Sequence, residues 1–161
     1  MGKMVKSVIY NICGVVQGVG FRPFVHRTAL AHRIAGKVIN RGSFVEVFAQ
    51  GTESDLQNFR NALQNEAPER ANIVKIEEKI AELEAFEGFS IEESQSDKGA
   101  IFIPPDIATC KLCSRELFDK SDSRYLHPFI NCTACGPRLT ILESLPYDRV
   151  RTSMKEFPMC E

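Results

Sequence analysis

The sequence predicts an α+β chain in two parts: a split βαβ antiparallel sandwich over residues 1–93 and a small four-cysteine module over 106–161. Three observations carry that prediction. Strand-like and helix-like hydrophobic periods alternate through the front of the chain. A polar, aperiodic stretch then follows, SQSDKG at 94–99, leading to Pro104-Pro105, which defines a linker at 94–105. Beyond it, hydrophobic patterning fades and two CxxC pairs take over.

The front elements follow in order. Lys6 to Cys13 is β-branched enough for a first strand. A loop carrying Gly14, Gly18 and Gly20 leads into a helix from Arg22 to about Ile34, with Phe21, Val25, Ala29 and Leu30 on one side. Pro23 suits its first turn, and Gly36 is expected to end it. Lys37–Asn40 and Phe44–Ala49 read as strands joined by the turn Asn40-Arg41-Gly42-Ser43. Glu53–Gln64 is a second helix with Leu56, Phe59 and Leu63 at helical spacing and Thr52 or Ser54 as N-cap. Ile73–Leu83 is a strand with one wet face, and Phe89–Glu92 a short edge strand. Strand, helix, strand, strand, helix, strand is the ferredoxin-like arrangement, with both helices on one sheet face.

Bulk properties exclude several classes. A formal net charge of −1 argues against a general nucleic-acid binder, which needs a clustered basic excess. No apolar run is long enough to cross a bilayer, and the first residues lack the small-residue end of a signal peptide. Lys6 stands where a myristoylation motif needs Ser or Thr. The expected location is the cytoplasm, where cysteines serve as metal ligands more readily than as disulfides.

The loop Gly14-Val15-Val16-Gln17-Gly18-Val19-Gly20-Phe21-Arg22 joins a strand to a helix. Glycines there let successive N–H groups converge on an anion beside a helix N-terminus, and Arg22 adds a charge able to hold two phosphate oxygens. It is neither a Walker loop nor a dinucleotide fingerprint, since both spacings are absent. By spacing alone, a tight turn followed by a solvated arginine explains it equally well. Asn40 likewise has an ordinary reading as a turn residue. His26 and His32 read as helix residues, and Cys13 as a small strand hydrophobe.

VQGVGFR on a strand-loop-helix, with GKVINRG on the next strand, resembles the acylphosphatase signature over residues 5–93. The resemblance implies phosphate binding by Val16, Gln17, Gly18, Val19, Gly20, Phe21 and Arg22, with Asn40 positioning the attacking water. The chemistry is coherent without a base: an acyl phosphate has a good leaving group, so holding the phosphoryl group and orienting water suffice.

Cys110-x2-Cys113 and Cys132-x2-Cys135, separated by eighteen residues, have the spacing of a structural zinc site. Four thiolates leave no position open for catalytic water, so the zinc is expected to be structural. Redox CxxC pairs or incidental cysteines are the competing readings. His127 is redundant as a ligand. Cys160 looks like the first ligand of a second CxxC site, which implies a chain that continues past Glu161.

An acylphosphatase-like domain followed by CKLC and HPFINCTACGPRLT resembles the N-terminal part of the carbamoyltransferases of NiFe-hydrogenase maturation, the HypF family, with its zinc-finger module. That resemblance implies carbamoyl phosphate as substrate. It implies downstream domains that use ATP, and transfer to the partner HypE on the way to a cyanide ligand. Two alternatives stand beside it: a free-standing acylphosphatase with a zinc appendage, and a non-catalytic zinc adaptor that only holds an anion.

Overall fold

In a computed structural model of the chain, residues 4–95, 108–132, 135–136, 138–144 and 147–157 are described. Linker residues 96–105 and Cys160 lie outside them. The front half contains β1 (Val5–Val15), α1 (Phe21–Ala31), β2 (Ala35–Asn40), β3 (Val45–Thr52), α2 (Glu53–Asn65), β4 (Asn72–Ala81) and β5 (Phe89–Ile91). The sheet order is β4-β1-β3-β2-β5. The four longer strands pair antiparallel, whereas β5 joins the edge in parallel with β2, Gly36 opposite Phe89. The sandwich is therefore of the expected class, with one parallel edge that the strand periods could not signal.

Alternation places the core. Val8, Tyr10 and Ile12 of β1, Val38 of β2, and Val45, Val47 and Ala49 of β3 are buried against α1 and α2. From above, α1 contributes Phe21, Phe24, Val25 and Ala29, and α2 contributes Leu56, Phe59 and Leu63. The Phe59 ring meets Tyr10 edge-on at 6.1 Å, an arrangement that adds quadrupole attraction to area burial. Thr52 caps α2, its hydroxyl accepting from the Asp55 N–H.

Two details of α1 differ from the sequence expectation. Leu30 is 56% exposed, and Phe24 and Thr28 face inward instead, so the buried stripe is rotated from the predicted one. The helix also ends at Ala31, not at Gly36. Arg33 takes the left-handed conformation at φ 56, while the Ile34 N–H returns to the Ala29 carbonyl. Gly36 instead lies within β2 at φ 147, where a Cβ would fall 1.9 Å from the Phe48 carbonyl oxygen. Its glycine serves strand contact rather than helix termination.

The cysteine module is small. Helix α3 (Lys111–Phe118) is capped by Cys110, and 3₁₀ segments follow at Leu139–Ile141 and Arg149–Arg151. Its buried centre is Cys113, Ile130 and Cys135, with Leu117 packed beside them. The Arg70 guanidinium, on the connection from α2 to β4, donates to the Cys135 carbonyl at 2.9 Å and so joins the two parts.

Candidate active site

The glycine-rich loop connects the end of β1 to α1. Gly18 and Gly20 adopt φ 67 and φ 74, the left-handed region that lets consecutive N–H groups face one side. The Val16 N–H closes back on the Gly14 carbonyl, and the Phe24 N–H bonds to the Gly20 carbonyl. The backbone N–H groups of residues 17–22 have no acceptor among the described residues. That is a run of open donors at a helix N-terminus, where the peptide dipoles also favour an anion.

Arg22, the second residue of α1, stands beside this run with its side chain 23% exposed. Its guanidinium donates to the Ser94 hydroxyl at 3.0 Å and to the Asp148 carboxylate at 2.6 Å. The remaining N–H donors of the fork have no acceptor among the described residues.

Asn40 closes β2 and is 1% exposed. Its Oδ1 accepts the Gly42 N–H at 2.9 Å, the bond two residues on by which asparagine commonly shapes a turn. Its Nδ2 has no acceptor among the described residues. The loop reaches this turn directly, because the Gln17 side-chain amide donates to the Gly42 carbonyl. A second tie runs behind it. The Gln95 N–H donates to the Asn40 carbonyl at 2.9 Å, while the preceding residue, Ser94, holds Arg22. Arg22 and Asn40, far apart in sequence, are thus bonded to two consecutive residues.

Charge around the turn is balanced. Arg41 pairs with Glu46 at 2.5 Å, both largely covered, and its guanidinium also reaches Gln95. His26 makes an edge contact with the Phe89 ring, as an ordinary helix residue would.

The four module cysteines converge, with their Sγ atoms all within 4.8 Å of one another. Cys110 and Cys132 sulfurs are 3.7 Å apart, and those of Cys132 and Cys135 are 3.8 Å apart. Backbone donors already serve them: the Cys113 N–H reaches Cys110 Sγ and the Cys110 N–H reaches Cys135 Sγ, each at 3.4 Å. Burial, with the neighbouring thiols, pushes the Cys113 thiol well up. Cys135 is drawn down to about 7, because burial raises it but the N–H groups of Cys132 and Cys110 and the adjacent thiols outweigh that. Four sulfurs this close cannot all ionise without a cation among them. Such a donor set fits one metal ion.

The sequence singles out Arg22, Asn40, Gln17 and the four cysteines, and the structure brings the cysteines together and links Gln17 to the Asn40 turn. No signal in the sequence marks Ser94, Gln95 and Asp148, which bond to Arg22 and Asn40. Ser94 and Gln95 fall at the edge of a stretch that reads as linker, and an isolated aspartate far along the chain carries no signal of its partner.

Open N–H donors at a strand-to-helix turn of a split βαβ sheet, followed by a four-sulfur cluster, define an α+β domain with an N–H-lined loop ahead of a four-cysteine module. Comparison with known proteins makes this specific: residues 8–91 match the acylphosphatase family and residues 109–142 the HypF finger, and the chain belongs to the acylphosphatase family. Its front domain is accordingly of a hydrolase type. A probable carbamoyltransferase HypF from Methanocaldococcus jannaschii is 48% identical over 146 residues, covering 89% of this chain and 19% of that protein. The crystal structure of a full-length HypF in phosphate- and nucleotide-bound form covers the whole chain at 42% identity and TM-score 0.91, using 21% of that protein. The acylphosphatase of Bacillus subtilis covers 55% of this chain and 99% of its own, at 37% identity and TM-score 0.51. The chain therefore corresponds to the N-terminal part of HypF carbamoyltransferases and spans about a fifth of their length. No described helix is long and apolar enough to cross a membrane.

Proposed function

We propose that the loop at residues 16–22 binds the phosphoryl group of an acyl phosphate, with carbamoyl phosphate as the physiological substrate. The backbone N–H groups and the Arg22 guanidinium hold the phosphoryl oxygens, and Asn40 orients a water molecule through its Nδ2. Water oxygen attacks phosphorus as the bond to the acyl oxygen breaks, releasing phosphate and carbamate. A carboxylate-type leaving group needs no strong general acid, which accords with a site whose histidines lie elsewhere. The observation that carries the reading is the run of open N–H donors at 17–22. It lies beside an arginine and an asparagine tied through Ser94 and Gln95.

The remaining assignments follow from the same reading. Residues 1–93 form the hydrolytic domain, 94–105 the linker and 106–161 the metal module. Zinc is the ion at Cys110, Cys113, Cys132 and Cys135, and its role is structural. Zn–S bonds of about 2.3 Å in a tetrahedron place sulfurs about 3.8 Å apart. The spacings of 3.7 and 3.8 Å support that assignment. Within a longer cytoplasmic protein, carbamate would pass to ATP-using domains and then to HypE, for cyanide-ligand synthesis.

The test is phosphate release from carbamoyl phosphate by this chain and by its Arg22→Ala and Asn40→Ala variants. Turnover that falls at least about a hundredfold in Arg22→Ala supports the mechanism, because the lost contact is charge-assisted and made to developing charge. Unchanged turnover in that variant defeats it. Metal analysis should find about one zinc per chain.

A further inference from the structure

Asp148 belongs to the cysteine module yet ends on Arg22, across 126 residues of sequence. It stands at the N-cap of the 3₁₀ segment Arg149–Arg151, where an aspartate ordinarily accepts a local N–H, but its side chain makes no cap bond. Its local structure is built without the carboxylate. The Arg151 N–H bonds to the Asp148 carbonyl, Leu142 pairs with Thr152, and the Glu143 and Ser144 N–H groups meet the Arg151 carbonyl. Among the described residues the carboxylate's bond is to the Arg22 guanidinium, and no bond joins it to the open N–H groups at 17–22. Ser94 takes a second donor of the same guanidinium at 3.0 Å.

We propose that Asp148 is a positioning residue for Arg22, so that the cysteine module completes the phosphate site of the front domain. An unrestrained arginine samples many rotamers, and fixing it before reaction removes that entropy from the barrier. With the hydroxyl on Nη1 and the carboxylate on Nη2, the Nε–H and one N–H on each terminal nitrogen are left for phosphoryl oxygens. A guanidinium held in place gains most where charge develops during reaction, so the benefit of Asp148 is read as a higher kcat rather than a lower KM. The inference rests on the reading of Arg22 as a phosphate ligand, although the contact itself does not.

Two measurements on the whole 161-residue chain test it. In the first, guanidinium NMR of Arg22 should show restricted rotation in the native chain. That signature should be lost in Asp148→Ala and kept in Asp148→Asn, which retains an acceptor oxygen. In the second, Asp148→Ala should lower kcat about tenfold without raising KM, with metal content and melting temperature unchanged, while Asp148→Asn stays within about threefold. Unaltered guanidinium signals in Asp148→Ala overturn the proposal. So does an unchanged or increased kcat, which would make Asp148 a bystander or a blocking anion. A kcat loss that appears only with lost metal reduces it to a structural role and overturns it as well. A native chain that turns over no acyl phosphate defeats the hydrolytic reading alone, and the guanidinium measurement still decides the positioning.

Discussion

The side-chain amide of Gln17 donates to the carbonyl of Gly42, whose own N–H is held by Asn40. One glutamine thereby sets the glycine-rich loop against the turn that ends β2, and the spacing between that loop and Asn40 depends on it. Gln17→Glu keeps the shape but replaces the donor with an acceptor facing another acceptor. The expected cost is about 1–3 kcal/mol in the coupling of loop and turn, the penalty of a polar contact turned unfavourable. Weaker binding of inorganic phosphate together with a modestly lower melting temperature is the anticipated outcome. Equal phosphate affinity in the variant would show that the loop holds its shape unaided.

In the proposed mechanism Asn40 has two separable jobs, and its variants should divide them. Oδ1 accepts from Gly42, while Nδ2 has no acceptor among the described residues and would serve the water. Asn40→Asp keeps the acceptor that shapes the turn and loses the side-chain N–H donors, so the fold should survive while turnover falls at least about tenfold. Asn40→Ala should lose both, and the buried Gly42 N–H left without its acceptor adds about 1–3 kcal/mol of destabilisation. Thermal melts beside turnover of the two variants give the comparison. An aspartate variant as unstable as the alanine one argues against the division.

How far the sequence leads here depends on how local each feature is. The loop, Asn40 and the two CxxC pairs lie within short windows, where glycine positions and cysteine spacing carry physical meaning. Leu56, Phe59 and Leu63 likewise lie on the buried face of α2 that their spacing predicts. Leu30 does not, because α1 starts at Phe21 and turns Phe24 and Thr28 inward. The end of α1 escapes the sequence for a related reason: a glycine usually closes a helix, but Arg33 takes the left-handed conformation and Gly36 makes room for the Phe48 carbonyl. The parallel pairing of β5 and the bonds of Ser94 and Asp148 to Arg22 are long-range, and no window on the sequence contains both partners.

Gly36→Ala should be among the most damaging small substitutions. The new Cβ would meet the Phe48 carbonyl oxygen at 1.9 Å, and φ 147 is itself costly for any residue with a side chain. Relief requires β2 and β3 to separate where they pair, Gly36 opposite Ala49. The expected loss is at least about 2 kcal/mol, read as a lower denaturant midpoint. A midpoint within error of the native chain would mean that the strands part easily, contrary to their buried contact.

Metal removal should act on the back of the chain and leave the front folded. Among the described residues the module's buried hydrophobic cluster is Cys113, Ile130 and Cys135, too little to hold α3 without the ion. The sheet has its own core from Val8 to Phe89. Chelation, or Cys113→Ser, should therefore expose the region after residue 108 to proteolysis while residues 5–91 resist. Equal resistance of both regions after the metal is gone would overturn a structural role for the ion.

Tyr10 predicts the alkaline limit of stability. It is 1% exposed and packs on Phe59. Burial raises its hydroxyl from 10.0 to about 12, Glu78 pushes the same way, and Arg60 opposes them. The neutral phenol is the form the fold accepts. Below pH 10 both folded and unfolded chains carry it neutral, and the contribution is fully present. Between pH 10 and about 12 the unfolded chain ionises first, so stability falls as pH rises. A rise of that size in the folded chain corresponds to about 3 kcal/mol by linkage. Urea melts at pH 9 and pH 11 should show a larger drop for the native chain than for Tyr10→Phe, which has no proton to lose there. Parallel losses in the two proteins would assign the alkaline decline to other groups.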